Sequence, residues 1–244
     1  MSALEIKNLY KHFDGIKAVD HLTLSFESGK ITGLIGPNGS GKSTLINLLT
    51  GIVPYDFGML VISDTTKLLK IKPYNVSSYG ITRTFQDVRL FEQMPVIDNM
   101  LVVLTERGVW SSIYEKHKRY HIEKAKEALE KVGLWEKRNE LAINLSYGQR
   151  KLLEIARALA MNVEIYFFDE PFAGLFPEMI KIVTSVLKDL RAKSKTVILV
   201  EHNMELIREL SDHCIVMDSG KLLAEGKPRD VLSQKDVIEA YLGE

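Results

Sequence analysis

Ile31-Thr32-Gly33-Leu34-Ile35-Gly36-Pro37-Asn38-Gly39-Ser40-Gly41-Lys42-Ser43-Thr44-Leu45 decides the fold. Ile31 to Ile35 is a short apolar run that stops at a Gly/Pro/Asn/Ser cluster. Ser43 to Thr50 then carries Leu45, Ile46, Leu48 and Leu49 at helical spacing, ending at the helix stop Gly51. Gly36 to Ser43 fits G-x-x-x-x-G-K-[ST] without deviation. In such a cradle, here Gly36, Pro37, Asn38, Gly39, Ser40 and Gly41, glycines let backbone N–H groups turn inward around an anion, and the helix N-terminus adds partial positive charge. Lys42 then reaches the β- and γ-phosphates, Ser43 holds Mg2+ by its hydroxyl and Thr44 contacts the α-phosphate. A glycine turn arising by chance would lack the strand before it and the helix after it. The expectation is a nucleoside triphosphate site.

Working outward, His21-Leu22-Thr23-Leu24-Ser25-Phe26 alternates and closes at the Glu27-Ser28-Gly29-Lys30 turn, a strand with one buried face. Helical patterns fill Pro95 to Ala160, including the charged Tyr114 to Lys131 segment with Ile122, Ala125, Leu129 and Val132 on one face. Strand signals return at Val163 to Phe168, Thr196 to Val200 and Cys214 to Met217, separated by helices at Pro177 to Arg191 and Met204 to Leu210. Such alternation implies a parallel sheet covered on both faces, with the helical middle inserted into one α/β core. Leu222 to Glu225 reads as a pairing strand after the Asp218-Ser219-Gly220 turn, and Asp236 to Leu242 as a short final helix.

A triphosphate site also needs a metal carboxylate and a group that handles water, and Ile165-Tyr166-Phe167-Phe168-Asp169-Glu170 supplies both at the end of a buried strand. Asp169 is the expected Mg2+ carboxylate, and Glu170 the general base.

Composition narrows the partners. Among 244 residues, 32 Lys+Arg balance 32 Asp+Glu, which argues against a nucleic-acid binder working through a diffuse basic face. No apolar run is long enough to cross a bilayer, and charges sit where a signal peptide needs an apolar core, so an intracellular chain is expected. The single Cys214 excludes an intrachain disulfide framework and a Cys-based zinc site.

Leu145-Ser146-Tyr147-Gly148-Gln149-Arg150, upstream of the acidic strand, resembles the LSGGQ signature of the ATP-binding-cassette ATPases. Ser146 and Gln149 also form an S-x-x-Q capping box, so the bland reading is a well-capped helix. The resemblance implies a P-loop NTPase (RecA-like) α/β core with an antiparallel β subdomain, spanning 1–86 and 161–244, and an inserted helical subdomain at 87–160. It further implies ATP with Mg2+, and a head-to-tail dimer, with a second copy or a homologous ATPase subunit, in which Ser146, Gly148 and Gln149 complete the partner's site. Phe13 matches the aromatic that stacks on adenine, with Tyr10 as substitute. Gln86 matches the glutamine that joins metal and water to the helical subdomain, and His202 the switch histidine at the γ-phosphate. Where the family carries an Asp in its dimer-contact loop, this chain has Phe176, which leaves backbone and apolar contacts to couple the two sites there.

Only about 100 residues separate the phosphate loop from the signature and no heptad run persists, unlike the repair and chromosome relatives. One copy of each motif likewise differs from the translation relatives. The expected setting is a transporter subunit, peripheral on the inner face of the membrane, docked through coupling helices on separate permease chains and binding no nucleic acid. Arg83 to Phe91, the tyrosine-containing signature, Glu201-His202-Asn203-Met204, Ala224-Glu225-Gly226 and Glu239 to Gly243 resemble the ATPases of branched-chain amino-acid importers, the G-type subunit most. Urea-importer and lipopolysaccharide-export ATPases share much of this. Val88, Leu90, Phe91 and Met94 either border a groove for a coupling helix or belong to the core of the helical subdomain.

Overall fold

The computed structural model describes residues 1–104 and 115–242. Its elements in chain order are β1 (Ser2–Phe13), β2 (Ile16–Glu27), β3 (Ile31–Ile35), α1 (Lys42–Leu49), β4 (Phe57–Ile62), β5 (Thr66–Leu68), β6 (Ile81–Arg83), α2 (Val96–Leu104), α3 (Glu115–Lys131), α4 (Tyr147–Ala160), β7 (Ile165–Asp169), α5 (Pro177–Ala192), β8 (Thr196–Val200), α6 (Met204–Leu210), β9 (His213–Asp218), β10 (Lys221–Gly226), α7 (Pro228–Val231) and α8 (Lys235–Leu242). Tyr114, where a helix was expected to start, and Gly243 lie outside the described residues.

The chain divides into two compact units, one of Met1–Arg83, Val163–Glu170 and Leu187–Glu244, the other of Thr84–Asn162 and Pro171–Val186. The first holds two sheets. One is antiparallel, ordered β2-β1-β4-β5, and the other is ordered β10-β9-β3-β8-β7-β6. All neighbours in the larger sheet are parallel except β9 and β10, which form a hairpin. Every residue of β3, β7 and β8 is buried, so these strands read as unbroken apolar runs, as sheets covered on both faces require. One core cluster joins the sheets, with Phe26 of β2 meeting Phe167 of β7 edge to face at 6.5 Å. Each such side chain withdrawn from water contributes about 1.5–3 kcal/mol.

No apolar run marks β1 as a strand, and β2 shows its alternation only from His21 onward. The physical reason is that two of the register shifts between these strands fall inside their apolar sets. In β1 the buried residues are Ala3, Leu4, Ile6 and Leu9, and in β2 they are Val19, Leu22, Leu24 and Phe26, so Ile6 to Leu9 and Val19 to Leu22 each slip one residue from strict alternation. The slips fall at Asn8 (φ 52) and His21 (φ 52), whose side chains meet at 2.8 Å. Such bulges keep both apolar sets on the core face while breaking the period that identifies a strand.

In the second unit α2, α3 and α4 pack together. The inner face of α3 is Ala125, Ala128 and Leu129, with Val132 buried just past its end. Ile122, expected on that face, is 37% exposed at its border, and Ala128 takes the inner place. The outer face carries i,i+4 pairs such as Lys131–Glu127 at 3.0 Å.

Candidate active site

Parallel strands deliver their C-terminal ends to one edge of the sheet, and in this order β3 sits between β8 and β9, a switch in winding direction that opens a crevice there. Gly36 to Gly41 leaves that edge from β3. Asp169 ends β7 and Glu170 follows it, His202 follows β8 and Arg83 ends β6. Residues scattered over the sequence therefore converge because the topology is parallel.

Neighbouring backbones hold the phosphate loop tightly. Gly220, in the β9–β10 turn, donates its N–H to Ser40 O at 3.0 Å. A Cβ on Gly36 (φ 151) would collide with Met217 O, and one on Gly41 (φ 101) with Ala18 O, so both positions demand glycine for space as well as for torsion. Gly41 is the N-cap of α1 and contributes no side-chain cap, which leaves the first N–H groups of the helix to an anion. Lys42 is buried, its Nζ donating to Gly36 O at 2.7 Å and Pro37 O at 2.8 Å. Ser43 is exposed and Thr44 half-buried at the start of α1. Anion-binding amides, an ammonium, a serine hydroxyl and a strand-end carboxylate form a donor set that fits a polyphosphate with a hard divalent cation.

Asp169 is buried, with Oδ2 accepting from Arg83 Nη2 at 2.7 Å; the two side chains are 5% and 8% exposed. Arg83 Nη1 reaches Asn47 Oδ1 at 2.6 Å and Thr50 Oγ1 at 3.3 Å, tying the metal carboxylate candidate to the helix that follows the phosphate loop. Arg83 carried no role in the sequence reading. Its signal is a cation ending a short apolar strand, and only the β6–β7 pairing places it beside Asp169.

Glu170 occupies the left-handed region at φ 48, a strained conformation for a residue with a long side chain, costing about 1–3 kcal/mol. Glu170 N donates to Val200 O at 2.9 Å, which helps hold that turn. The carboxylate so presented meets His202 Nε2 at 3.1 Å. When Glu170 is a carboxylate it can only accept, so the pair then forms with the His202 tautomer that carries a proton on Nε2. The next residue, Asn203, caps α6 through Oδ1, accepting from Glu205 N at 3.0 Å and Leu206 N at 3.3 Å, which fixes the loop bearing His202.

Phe13 ends β1 next to a tight Asp14-Gly15 turn with positive φ at both residues, a hairpin signal that sequence reading passed over. Its ring is 43% exposed with Lys11 Nζ 5.0 Å from the centroid. Tyr10 is stacked on His21 at 4.9 Å, so Phe13 is the aromatic that remains available.

Gln86 and the signature belong to the second unit. Gln86 is exposed in the loop after β6. Ser146 caps α4 in a full capping box, accepting from Gln149 N at 3.3 Å while Gln149 Oε1 accepts from Ser146 N at 3.0 Å. Gly148 is buried where a Cβ would strike Met179 Sδ, and Gly174 leaves room for the Tyr147 ring. Tyr147 thus stands on the loop that carries Phe176, which is 75% exposed.

The family described as ABC transporter matches residues 19–173, and that described as branched-chain amino acid ATP-binding cassette transporter matches residues 221–244. The chain is 37% identical to the high-affinity branched-chain amino acid transport ATP-binding protein LivG of Escherichia coli K12, covering 99% of this chain and 98% of that protein. It is 36% identical to the probable LivG of Archaeoglobus fulgidus, with 100% and 96% covered. Among solved structures it is similar to the ADP conformation of MJ1267, an ATP-binding cassette of an ABC transporter, with a TM-score of 0.87, 36% identity and both chains fully covered. It is also similar to the dimeric post-hydrolysis state of the cassette MJ0796 bound to ADP and Pi, with a TM-score of 0.80, 26% identity and 93% and 99% covered.

Proposed function

The chain belongs to the ABC transporter family of ATP-binding subunits, and from that premise we propose that it hydrolyses ATP to power import of branched-chain or related amino acids through separate membrane permease chains. One observation carries the ATPase reading: the phosphate loop, Asp169 and the Glu170–His202 pair all leave the same edge of one parallel sheet. Support for the cargo comes from the relatives' names and from the match of residues 221–244.

In this reading two chains lie head to tail with two nucleotides between them. Each ATP is held by Phe13, the Gly36 to Gly41 cradle, Lys42, Ser43 and Thr44 of one chain, and by Ser146, Gly148 and Gln149 of the other. Ser43, Gln86 and Asp169 would hold Mg2+, which when bound neutralises charge developing on the β- and γ-phosphates. Glu170 takes a proton from the attacking water, and His202 holds the Glu170 carboxylate in line with it. Residues 87–160 are the helical subdomain that presents the signature. No helix among the described residues is long and apolar enough to cross a membrane. In this reading the chain meets the membrane through permease chains on its inner face. Reconstitution with the two permease chains and a binding protein in proteoliposomes tests the cargo. ATP-driven uptake of labelled leucine, isoleucine or valine is expected; ATP hydrolysis with uptake of none of them would refute the assignment.

A further inference from the structure

Residues 85–92 are fastened to one face of α4 by three side chains spaced i, i+4 and i+7, namely Arg150, Glu154 and Arg157. Arg150 Nη1 bonds Glu92 Oε1 at 3.2 Å, and Arg157 Nη1 donates to Arg89 O at 2.6 Å. Between them Glu154, only 6% exposed, accepts the Phe85 N–H at 3.1 Å and also takes the backbone N–H of Arg89. The far end of the segment is anchored separately. Asn99, fully buried, accepts from Phe91 N at 2.9 Å and donates to Phe91 O at 3.0 Å.

One carboxylate therefore catches the chain on both sides of Gln86-Asp87-Val88. A buried carboxylate facing two amide N–H groups is costly to place, and burial pushes its proton affinity up to a pKa of about 7 against the pull of those amides, Arg157 and Lys151. Glu154 lies eight residues, or about 12 Å of rise, from Ser146 along one continuous helix. A helix of this length moves as a rod, so a displacement at its Ser146 end reaches the clamp undiminished.

We infer that Glu154 is a positioning residue for Gln86: by holding the Phe85 and Arg89 N–H groups on the signature helix, it makes the placement of Gln86 follow the engagement of Ser146 by nucleotide. This rests on the reading of Gln86 as a residue of the hydrolytic site. It predicts that Glu154 acts on turnover only through Gln86.

The test is a double-mutant cycle on purified protein, with kcat and KM for ATP measured for wild type, Glu154→Ala, Gln86→Ala and the double variant. Glu154→Ala should lower kcat about 10–100-fold, the cost of a misplaced group, with KM within about 2-fold because the Lys42 loop is untouched. In the Gln86→Ala background the same substitution should change kcat less than about 2-fold. Glu154→Gln provides an isosteric variant should the alanine form fold poorly. Its amide offers one acceptor where the carboxylate offers two, so it should lose part of kcat, and that loss too should vanish without Gln86. A full loss persisting in the Gln86→Ala background would mean Glu154 only supports the subdomain, and would overturn the proposal. If Gln86→Ala alone leaves kcat unchanged, the reading of Gln86 fails and the proposal falls with it.

Discussion

Replacing Arg83 by Met should destabilise the protein far more than an ordinary surface change, because it strips the partner from a buried charge. The pair closes at 2.7 Å with both side chains less than a tenth exposed, and Arg83 further bonds Asn47 and Thr50. Met preserves most of the aliphatic volume, so the cavity contribution is small. What remains is a buried Asp169 carboxylate deprived of its guanidinium, and breaking a buried pair on one side costs about 3–5 kcal/mol. At about 2–4 °C per kcal/mol for a chain of this size, Tm should fall by roughly 6–20 °C. Thermal and urea unfolding followed by circular dichroism would read this directly. Adding Asp169→Asn should restore at least about 2 kcal/mol, since the double variant no longer buries the carboxylate whose guanidinium was removed. A loss below about 1 kcal/mol in Arg83→Met, or a double variant no more stable than the single one, would refute the view that this pair is a desolvated ion pair.

Three further outcomes follow from the same geometry. Lys42→Ala removes the ammonium buried in the phosphate loop, and equilibrium titration should show ATP affinity at least about 10-fold weaker, as loss of a charge-assisted contact worth about 1.5–3 kcal/mol implies. Ser146→Ala removes the α4 cap and should cost about 1 kcal/mol in urea unfolding, whereas Ser146→Thr should retain most of it. Cys214 is fully buried in β9, and burial pushes its thiol pKa up to about 12. It should resist maleimide in the folded protein and label only as fast as the sheet opens, followed by mass spectrometry.

The phosphate loop was legible because its chemistry is contiguous, eight residues whose strand before and helix after can be read by eye. The S-x-x-Q box at Ser146 and Gln149 was legible for the same reason, and the structure shows both of its hydrogen bonds. Contacts between distant residues were not legible. Glu170 and His202 lie 32 positions apart, Arg83 and Asp169 86 apart, and each pair meets only because β6, β7 and β8 are adjacent and parallel. Glu154 was hidden differently. It sits on the inner side of a helix as a polar residue among apolar ones, where pattern reading expects a surface position, and its partners are backbone N–H groups that leave no trace in side-chain types. In the antiparallel sheet the bulges at Asn8 and His21 broke the period-2 pattern of β1 and of β2 before His21, although the Asp14-Gly15 turn between the strands was a usable signal.

The central claim, a base-dependent ATPase working as a nucleotide-bridged pair, is tested most directly with Glu170→Gln. Size-exclusion chromatography with light scattering, run with ATP and Mg2+ and compared with hydrolysis by the same sample, gives both readings at once. The expected result is a dimer that forms only with ATP and persists, while turnover falls about 10²–10⁴-fold below wild type because the proton acceptor is gone. Wild-type turnover by Glu170→Gln, or a variant that stays monomeric while saturated with ATP, would contradict it.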